Sequence, residues 1–231
     1  MKSTTAKFWA VELSFGGRGD DLQRWEDALR EPFDPWVEFQ YLPNTGPPLL
    51  RSREFEEMTN AQVHVRAQFM VAVLNGALRV PTQIGRTGIG YIWRQVRDLH
   101  DNGIAGNTAK PAAPSPSAAQ RWLSYASSNA VAAEMLSHFS NEPNWFDLYK
   151  TYEGIRELAG GMSALKSKSW TPSQADITRF THTANLHRHA LPHDAKKNPP
   201  KNPMSLADAT SMMSKMIHSI LDDLNPKFRS Q

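Results

Sequence analysis

The sequence predicts an α+β protein, with a small mixed α/β module at the N-terminus and a C-terminal antiparallel helical bundle. Three observations lead to this class. Segments that alternate with period two lie in the first hundred residues. A stretch rich in proline and alanine follows at 105–117, and the apolar residues beyond it recur at helical spacing. We therefore expect an α+β module at 1–104, a linker at 105–117 and a helical domain at 118–231.

Two strands and a helix are predicted in the first part of the module. Residues 7–15 and 36–42 alternate well enough for half-buried strands, and a proline-rich turn ends the second one. Between them, apolar residues recur at helical spacing after a candidate cap at Asp20 or Asp21: Leu22, Trp25 and Leu29.

The clearest helix signal of the N-terminal module is a capping box. Thr59 is followed three residues later by Gln62, and an apolar face then runs to Leu74, before Gly76. Residues 84–96 begin with several glycines and continue with bulky apolar side chains, which is typical of a hairpin that completes the sheet.

Two helices are predicted directly after the linker. The first is marked by apolar residues from Trp122 to Leu136, with the polar Asn129 on the same face. The second follows Asn144 and closes at Gly160-Gly161.

Two further helices complete the predicted bundle. Thr171 as cap, Pro172 in the first turn and Gln174 as the capping-box partner begin the third helix, whose apolar face leads to Arg188. The fourth begins at Ser205 and is expected to bury these residues: Met212, Met213, Met216, Ile220 and Leu224. Four helices with short connections are typical of an antiparallel bundle.

The composition excludes several classes of protein. A chain of 231 residues, 40% of them hydrophobic, can bury a sizeable core. It contains no cysteine, so there is no disulfide framework and no thiolate metal site. The longest mainly apolar run, at 69–78, is too short to cross a bilayer, and the N-terminus does not favour a secretory signal. We expect a soluble, cytoplasmic protein without a membrane span.

The candidate catalytic side chains lie in the stretch from Arg188 to His193. An arginine holds phosphate oxygens with a fork of N–H donors, and a histidine exchanges a proton near neutral pH. Together they could hold a phosphodiester and move its proton. The segment therefore indicates cleavage of RNA without a metal.

This stretch resembles the Arg-polar-x-x-x-His motif of the HEPN superfamily, with His189 at the polar position. HEPN domains are all-helical and are common among ribonuclease toxins and phage-defence effectors. The resemblance covers at most the C-terminal half. It implies a metal-independent endoribonuclease that acts as a homodimer through the helical domain, with a cognate antitoxin or defence partner. By position, Arg188 would hold the phosphate, and His193, with His189 second, would be the acid/base.

The residues after the motif add a candidate RNA contact. Lys196, Lys197 and Lys201 lie in a segment that also contains three prolines, and lysines of this kind bind backbone phosphates. The same lysines also fit a plain solvated loop. The net charge of +3 is too small to indicate nucleic-acid binding by itself.

Other interpretations of the motif stay open. Arg188 could form an internal salt bridge, for example with Glu153 or Asp194, or lie exposed at the end of its helix. The chain would then be a non-catalytic interaction or ligand-sensing module. The histidines at 182, 187, 189 and 193 raise the further alternative of a metal-dependent hydrolase. Zinc requires three or four converging ligands, and neighbouring histidines on a helix diverge, so we expect no metal and no cofactor.

Overall fold

The computed structural model describes residues 9–13, 19–38, 48–80, 96–98, 113–188 and 201–225. It confirms the α+β class: a small antiparallel sheet is formed by the first hundred residues, and the rest of the described chain is mostly helical. The chain packs as two compact units. The first comprises Met1–Leu74 and Ile89–Arg121, and the second comprises Asn75–Gly88 and Trp122–Gln231. The expected linker and the boundaries around it stay a prediction, since residues 99–112 lie outside the described part.

The first unit contains a four-stranded sheet. Its strands are β1 (Trp9–Glu12), β2 (Trp36–Glu38), β3 (Leu49–Arg51) and β4 (Val96–Asp98). They are antiparallel in the order β2-β3-β1-β4. The predicted hairpin at 84–96 lies almost wholly outside the described residues.

Strand β1 differs from the half-buried strand that the alternation predicted. All four of its residues are buried, including Glu12, which is 7% exposed. β1 is an inner strand, paired on one edge with β3 and on the other with β4. Because both of its faces are covered, its burial does not alternate. Strand β3 was missed, since three residues are too few to show a period.

Helix α1 (Gly19–Ala28) precedes β2 and buries Trp25, while Leu29 is buried just beyond its end. It already includes Asp20 and Asp21, so neither residue is its cap. A short 3₁₀ turn at Arg53–Glu57, which the sequence did not predict, buries Phe55.

Helix α2 (Asn60–Arg79) begins at the predicted capping box. The backbone N–H of Thr59 donates to Gln62 Oε1 at 2.8 Å, and the N–H of Gln62 donates to Thr59 Oγ1 at 3.4 Å. The helix continues five residues past Leu74, the last residue of the predicted apolar face. Gly76 lies inside the helix, where the backbone of Leu136 packs so closely that a Cβ would overlap the Leu136 carbonyl. The glycine therefore serves close packing and not helix termination.

Helix α3 (Ala118–Ser128) begins at a second capping box, formed by Ser117 and Gln120. The Nε2 group of Gln120, which is 3% exposed, donates to backbone carbonyls of the turn before β2: those of Arg30, Phe33 and Pro35, at 3.2, 2.9 and 2.8 Å. One buried amide thus fixes that turn inside the first unit.

The remaining helices are α4 (Ala130–Ser140), α5 (Trp145–Leu158), α6 (Met162–Lys166), α7 (Gln174–Arg188) and α8 (Leu206–Leu224). The single helix predicted from Trp122 to Leu136 is in fact two, because Asn129 interrupts it. The Asn129 side chain accepts from the N–H of Ala132 and so caps α4. Asparagine is a strong N-cap residue, which explains the break.

Most other helix ends lie at the positions that the sequence predicts. Asn144 caps α5, and Gly160-Gly161 follow it with positive φ angles. Ser205 caps α8 by accepting from Asp208 N–H. The buried residues of α8 include Met213, Met216, Ile217, Ile220 and Leu221, whereas Met212 and Leu224 are only half-buried.

The predicted cap of α7 is wrong. Ser173, and not Thr171, accepts the N–H of Asp176, while the Thr171 hydroxyl donates to the carbonyl of Leu165 at 2.5 Å. Thr171 therefore fixes the preceding turn.

Helix α7 is antiparallel to both α5 and α8 in the second unit. Its C-terminal end meets the start of α5, where His187 stacks on Trp145. The start of α8 lies beside the C-terminal half of α7, and the end of α8 lies beside Trp170, just before α7. The end of α7 and the starts of α5 and α8 consequently lie towards one end of this unit. Within the described ranges, no helix is both long and apolar enough to cross a membrane.

Candidate functional site

The motif begins at the last residue of helix α7. Arg188 ends the helix, and its side chain lies outside the described part of the chain. His189, His193, Lys196 and Lys197 also lie outside it. Lys201, the first residue described after this gap, is exposed. The proposed roles of these residues therefore stay predictions, but the positions where the segment begins and returns are known.

The chain returns to the middle of α7, the helix that it leaves at the C-terminal end. Arg179 Nε donates to the carbonyl of Asn202 at 3.1 Å, and its Nη2 donates to the carbonyl of Pro203 at 3.2 Å. The backbone N–H of Met204 donates to the buried hydroxyl of Thr183 at 3.0 Å. At a rise of about 1.5 Å per residue, Arg179 and Thr183 lie about 13 and 7 Å along the helix from Arg188. The motif segment therefore leaves α7 at its C-terminal end and returns to the middle of the same helix.

Two aromatic rings lie directly beside the motif. The rings of His187 and Trp145 are stacked, with centroids 5.3 Å apart and planes inclined by 10°. On its inner side, Trp145 contacts the fully buried Phe180, with centroids 6.3 Å apart. His187 is exposed and Trp145 is half-buried. The end of α7 thus carries a flat, partly exposed aromatic surface next to Arg188.

A second polar cluster joins the end of α4 to the start of α5. His138 Nδ1 lies 2.8 Å from Asp147 Oδ1, and Asp147 Oδ2 accepts from the amides of Asn144 and Asn141 at 2.6 and 3.1 Å. Burial raises the pKa of Asp147, but the hydrogen bonds from Asn144, His138 and Asn141 outweigh it and hold the pKa below its ordinary value. Asp147 is therefore a stable carboxylate.

Arg79, the last residue of α2, binds the end of α4 beside this cluster. Only 7% of it is exposed, and it donates to the carbonyls of Phe139 and Asn141 at the end of α4. Burial lowers the pKa of Arg79, and the nearby charge of Glu142 opposes that effect. A cation near the C-terminus of a helix is favourable, because the carbonyls there carry partial negative charge.

The geometry of this cluster favours a structural role. A histidine that is oriented by a carboxylate can act as a general base, and His138 and Asp147 have this arrangement. However, the remaining nitrogen of His138 faces Glu134 Oε1 at 3.6 Å, and the surrounding depression has no interior space for a water-sized group. In the described residues, no group of three or more histidine, aspartate or glutamate side chains is placed to hold a metal ion.

No sequence motif indicated His138, Asp147 or Arg79 as functional residues. Asn144 with Asp147 three residues later was a recognisable helix-start signal, but no local pattern links it to His138 or Arg79. Glu153, the carboxylate suggested as an internal partner of Arg188, lies 3.0 Å from Lys150 Nζ.

Comparison with known proteins gives no relative: no protein family, no curated protein and no solved structure matches the chain.

Proposed function

We propose that this chain is a metal-independent endoribonuclease of HEPN type that acts as a homodimer through its helical unit. The observation that carries the proposal is the placement of the motif segment. It begins at Arg188, at the end of α7, and returns through Lys201 to contacts with Arg179 and Thr183 of the same helix. The residues with the proposed roles thus belong to one segment that starts at the C-terminal end of α7 and finishes beside the middle of the same helix.

The proposed reaction uses the hydroxyl group of RNA itself. The ribose 2′-oxygen attacks the adjacent phosphorus, and the bond from phosphorus to the 5′-oxygen of the next nucleotide breaks. Arg188 stabilises the negative charge that builds up on the phosphate, and His193, with His189 as the second candidate, transfers a proton at the attacking or the leaving oxygen. The products are a 2′,3′-cyclic phosphate and a free 5′-hydroxyl.

A dimer is part of the proposal because the reaction needs both a base and an acid. One chain supplies one motif, whereas two chains that meet at this end supply two sets of acid/base groups. Lys196, Lys197 and Lys201 bind the flanking phosphates. We place the protein in the cytoplasm, as a toxin or phage-defence effector controlled by an antitoxin or another defence partner.

The test is cleavage of end-labelled RNA in EDTA by the full chain and its variants. Wild-type protein is expected to cleave RNA and leave DNA intact. Arg188→Ala and His193→Ala are expected to lower the rate by about 10²-fold or more. The matched control is His182→Ala, which removes an exposed histidine of α7 outside the motif and should retain the wild-type rate. Activity that survives both motif variants would overturn the proposed roles.

A non-catalytic interaction module is the second candidate, and one surface favours it. Val65 is 70% exposed on α2, and it lines an open, mainly apolar groove with the residues Met58, Ala61, Gln62, Arg66 and Phe69. Exposed apolar patches of this kind mark surfaces that bind partners. No cleavage by wild-type dimer, together with a partner whose binding is lost in Val65→Asp, would favour this candidate.

A further inference from the structure

We propose that the stacked rings of Trp145 and His187 form a platform for an unpaired base of the RNA substrate. This inference rests on the proposed ribonuclease function and specifies its substrate as single-stranded RNA. It concerns two residues to which the motif itself gives no role.

The platform has a rigid support. Trp145 is the first residue of α5, whose N-terminus is fixed by the Asn144 cap. The Trp145 ring lies against Phe180, and Phe180 is also in contact with Tyr152, at 5.6 Å between centroids. Both Phe180 and Tyr152 are buried in the core. The ring that supports His187 is therefore held by core packing and needs little ordering when a ligand binds.

The platform also has an open side. Trp145 covers one face of the His187 ring at a centroid distance of 5.3 Å. Because His187 is nevertheless exposed, its accessible surface lies on the other face and the edges of the ring. A planar base placed there would extend the existing stack by one ring. Unpaired bases stack on aromatic and histidine side chains in this way, whereas bases inside a duplex are already stacked on each other.

The position relative to Arg188 suits a nucleotide next to the scissile phosphate. His187 and Arg188 are consecutive residues at the end of α7, with Cα atoms about 3.8 Å apart. A phosphate held by Arg188 would bring the base of an attached nucleotide within reach of the His187 ring.

The experiment measures binding separately from cleavage. A fluorescein-labelled, single-stranded 2′-O-methyl oligoribonucleotide has no free 2′-hydroxyl, so it can bind but cannot be cleaved by the proposed mechanism. Wild-type protein is expected to bind it more tightly than the corresponding duplex in fluorescence anisotropy. His187→Ala should weaken binding to the single strand by about tenfold, which corresponds to the loss of one stacked base. His187→Phe retains a stacking ring and should bind within about twofold of wild type.

His182→Ala is the matched control, because it removes another exposed histidine of the same helix. It should leave the affinity for the single strand unchanged. Thermal melting and sedimentation of each variant check that fold and oligomeric state are retained. Equal affinities of wild type and a folded His187→Ala variant would overturn the platform. A His187→Ala variant that binds RNA normally but no longer dimerises would overturn it too, and would assign the rings to the dimer interface.

The two proposals fail in different ways. Failure of the ribonuclease function would appear as uncleaved RNA in the assay with wild-type protein, whatever the anisotropy shows. Failure of the platform would appear as unchanged binding in His187→Ala, whether or not wild type cleaves RNA.

Discussion

Replacement of Asp147 by alanine tests the junction between α4 and α5. The change removes the acceptor of three side chains: Asn144, His138 and Asn141, at 2.6, 2.8 and 3.1 Å. A hydrogen bond to a charged group contributes about 1.5–3 kcal/mol where it is shielded from water. Both asparagines are exposed and regain water, so we assign about 0.5 kcal/mol to each of those bonds and about 1–2 kcal/mol to the bond with the half-buried His138. The expected loss in the free energy of unfolding is about 2–3 kcal/mol.

Urea denaturation followed by circular dichroism measures this loss at neutral pH. The matched control is Asp176→Ala, at the corresponding position of α7. Asp176 is exposed, and its side chain accepts from the Ser173 hydroxyl at 2.6 Å. It shares with Asp147 the favourable position near a helix N-terminus, so we expect a loss of only about 0.5–1 kcal/mol. If Asp147→Ala costs no more than Asp176→Ala, the reasoning is refuted.

The pH dependence gives a second check on Asp147. Its folded-state pKa is held below the ordinary value of 3.8, so the stabilisation is fully present above that value and is lost as the pH falls through the folded-state pKa. The difference between wild type and Asp147→Ala should therefore shrink as the pH falls from about 4 to about 2. A constant difference over this range would show that the carboxylate charge is not its origin.

Three further substitutions test close packing and buried polar contacts. Gly76→Ala should lower the melting temperature, because the new Cβ overlaps the carbonyl of Leu136. This holds although alanine is the better helix former by about 1 kcal/mol. An unchanged or higher melting temperature contradicts this packing. Thr183→Val leaves the N–H of Met204 without its acceptor and should cost about 1–3 kcal/mol in urea denaturation, so an unchanged midpoint would exclude a role for that bond. Gln120→Glu replaces a donor to three carbonyls by an acceptor and should lower the free energy of unfolding by at least about 2 kcal/mol. The control Gln174→Glu changes an exposed side chain and should have little effect. Equal effects of the two variants in urea denaturation would count against the role of the Gln120 amide.

Local signals in the sequence predicted several helix starts correctly. The caps formed by Thr59, Asn144 and Ser205 all lie where the sequence indicated. A cap bonds to backbone groups two or three residues away, so all of its partners are visible in a short window. The same window was ambiguous at α7, where Thr171 and Ser173 both precede the helix and only the fold determines which one is free to cap it.

The errors arise where contacts between distant segments decide the outcome. The local pattern did not show that α2 continues through Gly76, since the role of this glycine depends on its contact with Leu136, sixty residues later. The buried Glu12 could not be foreseen, since the sequence does not show that both faces of β1 are covered. Asn129 is the exception, because the N–H that it caps belongs to Ala132, three residues away, so its capping role was visible in the local sequence and was missed.

The candidate site likewise combines a motif that is contiguous in the sequence with contacts that depend on the fold. Arg188 to His193 form a contiguous motif, so the sequence alone could indicate phosphate chemistry there. The pair of Trp145 and His187 joins two helices and becomes visible only after α5 and α7 are packed antiparallel. The contact of His138 with Asp147 likewise depends on the turn between α4 and α5.

The close approach at Gly76 also fixes the rotation of the last turns of α2 about the helix axis. Each residue of an α-helix turns by about 100°, so a shift of one position would bring Asn75 or Ala77, and hence a Cβ atom, against the Leu136 carbonyl. Only the glycine permits this contact, so the helix has a single allowed rotational setting here. Arg79, three residues further along, is thereby aimed at the end of α4, where it binds the carbonyls of Phe139 and Asn141. A residue without a side chain thus orients the guanidinium group that binds the end of α4.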